Sequence, residues 1–375
     1  MQGNPIKIHL PDSKSEVIVT VAFAYGFLSE PTTSFGMGHL AEHCLCAQIK
    51  ENLGLKDAWG HIDDKSLVIN MLLDKVAYAK LLEDGIVKTL SEIAQSVSAK
   101  IFDVEKLRIR SEVEERYNST FSLFSEYVKG RLIKSPRRLA RARVWQLKTF
   151  RKASLSGLKK TFDFIFSAEH LLFVGSSGTG KSSCNPDLTP FSRLEIAFSK
   201  KKLFRLPAQK DKGAFIIAFH TPGLEASLER GLVTGFVSGE IYEAFREVAR
   251  SYGAYDPSYE IRMEREYGIV WFGLYSHAKI PRDIEVSFFR VVNSIIGGND
   301  LGSKLKKYKR EKSAEMKSDW VGREERQDWI VEDYLEGRDA SSLKTALAAI
   351  DGITATKARK AAREIFTPKA AYIFR

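Results

Sequence analysis

The chain reads as an α+β protein made of two structurally related α+β domains, each a mostly antiparallel sheet covered by helices. Three observations predict this. Apolar, β-branched runs (EVIVTVAF, LVINMLL, AFIIAFHTPG) alternate with longer amphipathic segments. The order strand, helix, strand, helices, strand appears twice, although no matching residues link the two passes. Between the passes lies a stretch with the composition of a linker, CNPDLTPFSR followed by the basic KKLFRLPAQKDK. The expected organisation is a first domain over residues 1–183, a linker over 184–211 and a second domain over 212–375.

In chain order, residues 16–28 (EVIVTVAFAYGFL) predict a strand. Ser34 to Gly38 is a polar, glycine-containing entry to a helix. Residues 67–73 predict a second strand, and Val76 to Ser98 one long amphipathic helix. Asp103 is placed to cap a further helix reaching about Tyr117. Helical segments follow from about Ser122 to Phe166, then a short buried strand at 170–175 (HLLFVG). The second half opens with a strand at 214–223 and a helix from about Leu228 to Arg250. Strands containing IVWFGLYSH, two or more helices and a last strand, AAYIF, complete it.

Composition narrows the class. With 375 residues, 44% hydrophobic and 28% charged, the chain is globular and long enough for two domains. No apolar run of about 18 residues exists, so no membrane span is expected. The N-terminal MQGNPIKIHLPDSK lacks a signal-peptide layout. Three cysteines, Cys44, Cys46 and Cys184, cannot form a disulfide framework, and the setting expected is reducing and cytoplasmic. The net charge of +11 is concentrated: Lys129 to Lys160 carries twelve Lys or Arg and no acid. Leu132, Leu139, Val144, Leu147 and Leu158 interleave with these charges, which reads as a solvated helical face; a surface for an acidic partner is the second reading. No recognition motif accompanies the run, so nucleic-acid binding is not expected.

One pentapeptide carries the chemistry: His39-Leu40-Ala41-Glu42-His43. Two imidazoles four apart on a helix lie one above the other and can grip one metal ion together. Glu42 projects from nearly the same face and can hold a water on the metal without being a ligand. H-x-x-E-H is the inverted zincin order, whose usual metal is zinc. A catalytic zinc needs a third protein ligand. VEKLRIRSEVEERYN offers Glu105, Glu112, Glu114 and Glu115 on one predicted helix, with Glu105, Glu112 and Glu115 on a common face.

Here the chain resembles a known family, the inverzincin metallopeptidases related to pitrilysin, insulin-degrading enzyme and the mitochondrial processing peptidase. GHLAEH matches that family's metal-binding helix, and VEKLRIRSEVEER its E-x6-E helix. NLGLKDAW followed by LVINM is similar to its Asn-Ala segment before a strand. HLLFVG is similar to the last strand of its first domain, and FREVARSYGAYDPSYE to its Arg-to-Tyr substrate-binding segment. The resemblance implies Glu112 as third ligand and Glu105 behind the ligands, orienting one of them or its water, while Glu115 remains the fallback ligand. It implies Arg246 and Tyr255 as substrate-binding residues, with Arg250 and Tyr252 as competitors because the Arg246–Tyr255 spacing is two residues longer than in the family. Asp57 stands where the family more often has Asn. The His43-to-Glu112 step, 69 residues, is shorter than usual, which a shortened loop between Cys46 and Leu55 would explain.

The expectation is a zinc-dependent endopeptidase cleaving peptides or a precursor peptide, with Glu42 as general base and general acid. The alternative is a non-catalytic or partner subunit of a heterodimeric peptidase or maturation complex. The resemblance implies half of a four-domain clamshell peptidase, hence a homodimer or a heterodimer with a paralogous chain. Other features receive bland readings. Cys44 and Cys46 do not share the 39/43 face and are expected to pack in the core. His61, His170, His220 and His277 are assigned no role. Gly175-Ser-Ser-Gly-Thr-Gly-Lys181-Ser182 satisfies the phosphate-loop pattern, but Pro186 and Pro190 leave no room for the helix that must follow, and it reads as a domain exit.

Overall fold

The computed structural model describes residues 6–10, 16–31, 33–118, 120–135, 144–176, 195–206, 213–223, 227–254, 257–264, 266–276, 279–335 and 342–375. The chain begins β1 (Ile6–His9), β2 (Glu16–Phe23), α1 (Met37–Leu53), β3 (Ala58–Ile62), β4 (Leu67–Asp74), α2 (Lys75–Asp84), α3 (Ile86–Gln95) and α4 (Ala99–Asn118). It continues α5 (Thr120–Leu132), β5 (Ile133–Ser135), α6 (Val144–Lys152), α7 (Leu155–Ser167) and β6 (His170–Ser176). The second half holds β7 (Ala197–Phe198), β8 (Leu203–Phe204), β9 (Gly213–Pro222), α8 (Leu228–Ser251), β10 (Ser258–Met263) and β11 (Tyr267–Ser276). It ends α9 (Ile284–Gly297), α10 (Leu301–Val321), α11 (Arg323–Leu335), α12 (Leu343–Asp351), α13 (Ala355–Ile365) and β12 (Tyr372–Phe374).

Two five-stranded sheets carry the architecture, in the orders β1-β6-β2-β4-β3 and β8-β12-β9-β11-β10. In each, the first pair is parallel and the other three are antiparallel. The topologies superimpose strand for strand: β8 corresponds to β1, β9 to β2, β10 to β3, β11 to β4 and β12 to β6. The duplication hinted at by element order is therefore present in the connectivity, without residue-level repetition.

The contacts group the chain into two compact units. One comprises Met1–Ser119, Arg141–Ser192 and Val321–Leu335; the other Thr120–Ala140, Arg193–Trp320 and Glu336–Arg375. The division expected at 184–211 does not foresee the interleaving: α5, from the first half, packs on β10 and β11 of the second sheet, and α11, from the second half, belongs with the first. The physical reason is that each sheet has two apolar faces to cover. On one face of the first sheet, Val17, Val19, Val21, Phe23, Leu67, Ile69 and Met71 bury against Leu40, Cys44, Leu45 and Ile49 of α1 together with α3 and α7. The opposite face receives α11. Gln327 Nε2 donates to Ile18 O (3.2 Å) and Thr20 Oγ1 (2.6 Å), Thr20 Oγ1 donates to Asn70 Oδ1 (2.5 Å), and Asn70 Nδ2 donates to Asp328 Oδ1 (3.3 Å). Phe173 and Tyr334 meet edge to face nearby. In the second unit Phe124 of α5 lies against Trp271 of β11.

Several local expectations need correction. The single helix expected over 76–98 is two, α2 and α3, because Gly85 takes φ 84°, ψ 109° and interrupts the ladder. Asp103 does not cap α4; it lies inside the helix, and Ser98 Oγ accepts the Ile101 N–H at the helix start. The helical stretch expected over 122–166 is interrupted by the short β5. Strands β1, β3, β7 and β8 have no counterpart in the expected order, being short or holding Gly and charged residues. Among the described residues, no helix is long and apolar enough to cross a membrane.

Candidate metal centre

Helix α1 is anchored before it presents its histidines. Its N-cap, Gly36, has φ 95°, a backbone shape that disfavours other residues, and carries no side-chain acceptor of its own. Glu30, 1% exposed, supplies the missing acceptor: Gly36 N–H and Gly38 N–H each donate to its carboxyl at 2.5 Å. Burial pushes the Glu30 carboxyl up to about 8, against the two backbone hydrogen bonds, which pull it down. At the other end Gly54 closes the helix in the left-handed region, donating to Lys50 O.

Two turns of this fixed helix meet α4. The His39 and His43 rings stand 5.1 Å apart, nearly perpendicular. His39 Nε2 is 3.8 Å from Glu112 Oε1, and His43 Nε2 is 3.4 Å from Glu112 Oε2 and 3.7 Å from Glu42 Oε2. Glu105, two turns before Glu112 on α4, faces the other ring nitrogen, with His43 Nδ1 3.2 Å from its Oε2. A proton on Nδ1 donated to Glu105 leaves Nε2 with its lone pair toward Glu112 and Glu42. The candidate ligand atoms of His39, Glu42 and His43 all lie within 4.8 Å of one another.

The donor set fits a small divalent cation. A tetrahedral ion with bonds of about 2.0–2.2 Å holds neighbouring ligand atoms roughly 3.3–3.6 Å apart; the Glu112 contacts, at 3.4 and 3.8 Å, are near that range. Three carboxylates surround two imidazoles in a buried place, an excess of negative charge that a cation balances. The same excess perturbs the groups themselves. Burial disfavours the charged His43 ring, but hydrogen bonds to Glu112 and Glu105 and the charge of Glu42 outweigh it and raise its pKa. Burial also raises Glu42; His43 pulls it down and Glu112 pushes it up.

A cavity of about 200 Å³ opens on these groups. His39, Glu42, His43 and Glu112 form one side, Gly60 and His61 of β3 another, and Gln146 of α6 closes it. Gly60 lets β3 pass this closely: a Cβ there would lie 2.5 Å from Val68 O and 3.1 Å from Glu42 Cγ. Strand β3 is the last in its sheet, so one of its edges is unpaired within that sheet. His61, assigned no role from sequence, lines the cavity and acts electrostatically on Glu42. Gln146 and Glu30 carry no sequence signal, since each acts on residues outside its own element.

The remaining expected residues fall elsewhere. Glu115 is exposed on α4, and Glu114 pairs with Arg110 at 2.8 Å. Cys44 and Cys46 are buried free cysteines; the Cys46 thiol donates to Glu42 Oε1 at 3.8 Å. Asp57 precedes β3, is 54% exposed and lies 3.9 Å from Lys50 Nζ. In the second unit, Arg246 on α8 pairs with Glu243 at 2.7 Å and faces the Tyr242 ring. Arg250 pairs with Glu247 at 2.8 Å, and Tyr252 OH meets Asp283 Oδ2 (3.1 Å) and Ser287 Oγ (2.9 Å). Tyr255, Cys184, His277 and the phosphate-loop match beyond Ser176 lie outside the described residues. The strand entering that match, β6, sits between β1 and β2 in a mostly antiparallel sheet, unlike the parallel setting such loops use.

No protein-family model matches the sequence, and no curated protein matches it either. Solved structures do match in fold. A protease from Helicobacter pylori aligns over 100% of this chain and 97% of its own, with TM-score 0.71 and 12% identity. A peptidase M16 inactive domain from Pseudomonas fluorescens aligns over 98% and 94%, with TM-score 0.70 and 13% identity. The periplasmic protease PqqL from Escherichia coli aligns over 98% of this chain but 46% of its own, with TM-score 0.64 and 12% identity. At these identities the likeness is one of fold alone: the chain shares the fold of the Helicobacter pylori protease and of the M16 inactive domain, and it spans about half the length of PqqL.

Proposed function

We propose that the chain is a zinc-dependent endopeptidase that cleaves peptides, or one precursor peptide, and that it belongs to the pitrilysin-related family of H-x-x-E-H metallopeptidases. The observation that carries this is the convergence of His39, His43 and Glu112 at 3.4–3.8 Å with Glu42 beside them. His39 Nε2, His43 Nε2 and the Glu112 carboxylate would hold the ion. Zinc, when bound, supplies a Lewis acid that polarises the scissile carbonyl and makes water nucleophilic near neutral pH. Glu105 holds the His43 ring in register through Nδ1. Glu42 Oε1 receives the Cys46 thiol, so Oε2 is the oxygen that takes a proton from the attacking water and returns it to the leaving amine. The water oxygen bonds to the carbonyl carbon as the C–N bond breaks. The open edge of β3 offers backbone donors and acceptors to an extended peptide, which would run as an added strand past Gly60.

A chain with two such domains is half of the four-domain enclosure implied by the resemblance, so the proposed partner is a second copy or a paralogous chain. Arg246 with Tyr255, or Arg250 with Tyr252, are the proposed substrate-binding residues. Among the described residues, the free thiols of Cys44 and Cys46 fit a reducing, cytoplasmic setting. The alternative reading, a non-catalytic partner subunit, is compatible with the fold because an inactive M16 domain shares it. Metal analysis and peptide cleavage separate the two. About one zinc per chain is expected for the wild type and for Glu42→Gln, with cleavage falling by about 10²–10⁴-fold in the variant. A wild type that binds zinc and cleaves no peptide favours the partner subunit; one that binds no zinc refutes both the metal site and the peptidase.

A further inference from the structure

Gln146 sits on α6, 1% exposed, and lines the cavity that holds His39, Glu42, His43 and Glu112. Neither its Nε2 nor its Oε1 has a hydrogen-bond partner among the described residues. Buried carboxamides are normally satisfied, because losing hydration without gaining a partner destabilises the fold. The position is also enforced. The stem of Gln146 packs on Gly36, where a Cβ would lie 2.6 Å from Gln146 Cγ and 2.9 Å from its Cβ. The glycine that begins the histidine helix thus leaves room for the glutamine that reaches the cavity.

We infer that Gln146 is a substrate-binding residue of the peptidase proposed above, gripping the backbone N–H and C=O of one extended peptide residue with both ends of its carboxamide. The chemistry is complementary. An extended residue turns its own N–H and C=O to the same side, one donor and one acceptor, and Gln146 offers a donor at Nε2 and an acceptor at Oε1. Glu42 is assigned to the attacking water and Glu112 to the metal, and both histidine Nε2 atoms face the metal position. Beside His61, Gln146 brings the cavity a donor for a carbonyl oxygen, already desolvated and held at its stem, so little ordering is needed when substrate arrives. One extended residue would satisfy both orphaned atoms at once.

The inference rests on the peptidase reading, and the test separates the two. The full-length protein carrying Gln146→Met keeps an unbranched stem against Gly36 and deletes both polar atoms; Gln146→Asn keeps the carboxamide on a shorter stem and is read in the same way should Gln146→Met not fold. Zinc content, Tm, KM and kcat for a fluorogenic peptide, and binding of that peptide in a Glu42→Gln background are measured for each. The expected result for Gln146→Met is unchanged zinc content, a Tm equal to or above the wild type, and peptide binding and kcat/KM weaker by roughly 10- to 100-fold. Gln146→Asn is expected to fall between Gln146→Met and the wild type. Wild-type binding and kcat/KM in Gln146→Met overturn the inference and leave the peptidase standing. So does a lower Tm or lost zinc, which marks a structural glutamine. A wild type with neither zinc nor cleavage removes the peptidase reading and this inference with it.

Discussion

Glu105 and Glu112 lie on one helix face, seven residues apart, yet they meet different histidine nitrogens, and a graded substitution series tests the different tasks proposed for them. Glu105 does not touch the metal position; it faces His43 Nδ1 at 3.2 Å with its side chain 9% exposed. Its remaining partner, Arg108, is 3.8 Å away on a largely exposed side chain that can turn to solvent. Replacing Glu105 by Gln keeps an oxygen that can accept from Nδ1–H but removes the charge. A hydrogen bond to a charged group is worth about 1.5–3 kcal/mol against about 0.5–1.5 for a neutral one, so the loss is on the order of 1–1.5 kcal/mol, or about 5- to 15-fold in zinc affinity. Glu105→Ala removes the bond altogether and is expected to cost up to about 100-fold, the upper range for a partner that orients a metal-bound His. Glu112→Gln removes the proposed third ligand and should abolish stoichiometric binding. The assay is competition for zinc against a chromophoric chelator of known affinity, with circular dichroism to check folding. Glu105→Gln binding zinc within twofold of the wild type would refute the orienting role. Glu105→Gln losing the metal while Glu112→Gln keeps it would reverse the two assignments.

Two further predictions follow from the surroundings of α1. Glu30 has its carboxyl raised to about 8 by burial, so the folded state holds that proton more tightly than the unfolded chain, where the ordinary value is 4.5. Its contribution is therefore complete below about pH 4.5 and declines as pH rises through 8, by up to about 1.4 kcal/mol per pH unit. In Glu30→Gln this decline should flatten, as read from urea midpoints between pH 5 and 9; an unchanged slope would show that another group sets it. Gly60→Ala places a methyl group 2.5 Å from Val68 O and 3.1 Å from Glu42 Cγ. It should lower stability by about 1–3 kcal/mol and reduce cleavage more than zinc binding; full activity with wild-type Tm would mean that β3 yields easily.

The parts of this fold that were legible in the sequence are those governed by local periodicity. HLAEH is readable because four residues return a helix to the same side, and Glu105–Glu112 because seven residues make two turns. Strands β2, β4, β9 and β11 are readable because their apolar runs are unbroken. The break at Gly85 has a residue to announce it, and the expectation of one helix gave the surrounding amphipathic pattern too much weight. What the sequence hid is non-local. Gln327 meets Ile18 and Thr20 across about three hundred residues, and Gln146 meets Gly36 across more than a hundred. Strand β3 escaped notice because AWGHI holds a glycine and a histidine, the two residues that bring it beside Glu42 and into the cavity.

The reciprocal loan of α5 and α11 bears on how such a chain could have arisen. A solitary ancestral half would have left one side of its sheet bare, with the equivalents of Thr20 and Asn70 open to water and no Gln327 to meet them. Two copies trading that helix would each have been complete, as in a domain-swapped dimer. Joined end to end, the same pair gives one polypeptide whose halves share a strand order and are each finished by a helix encoded in the other.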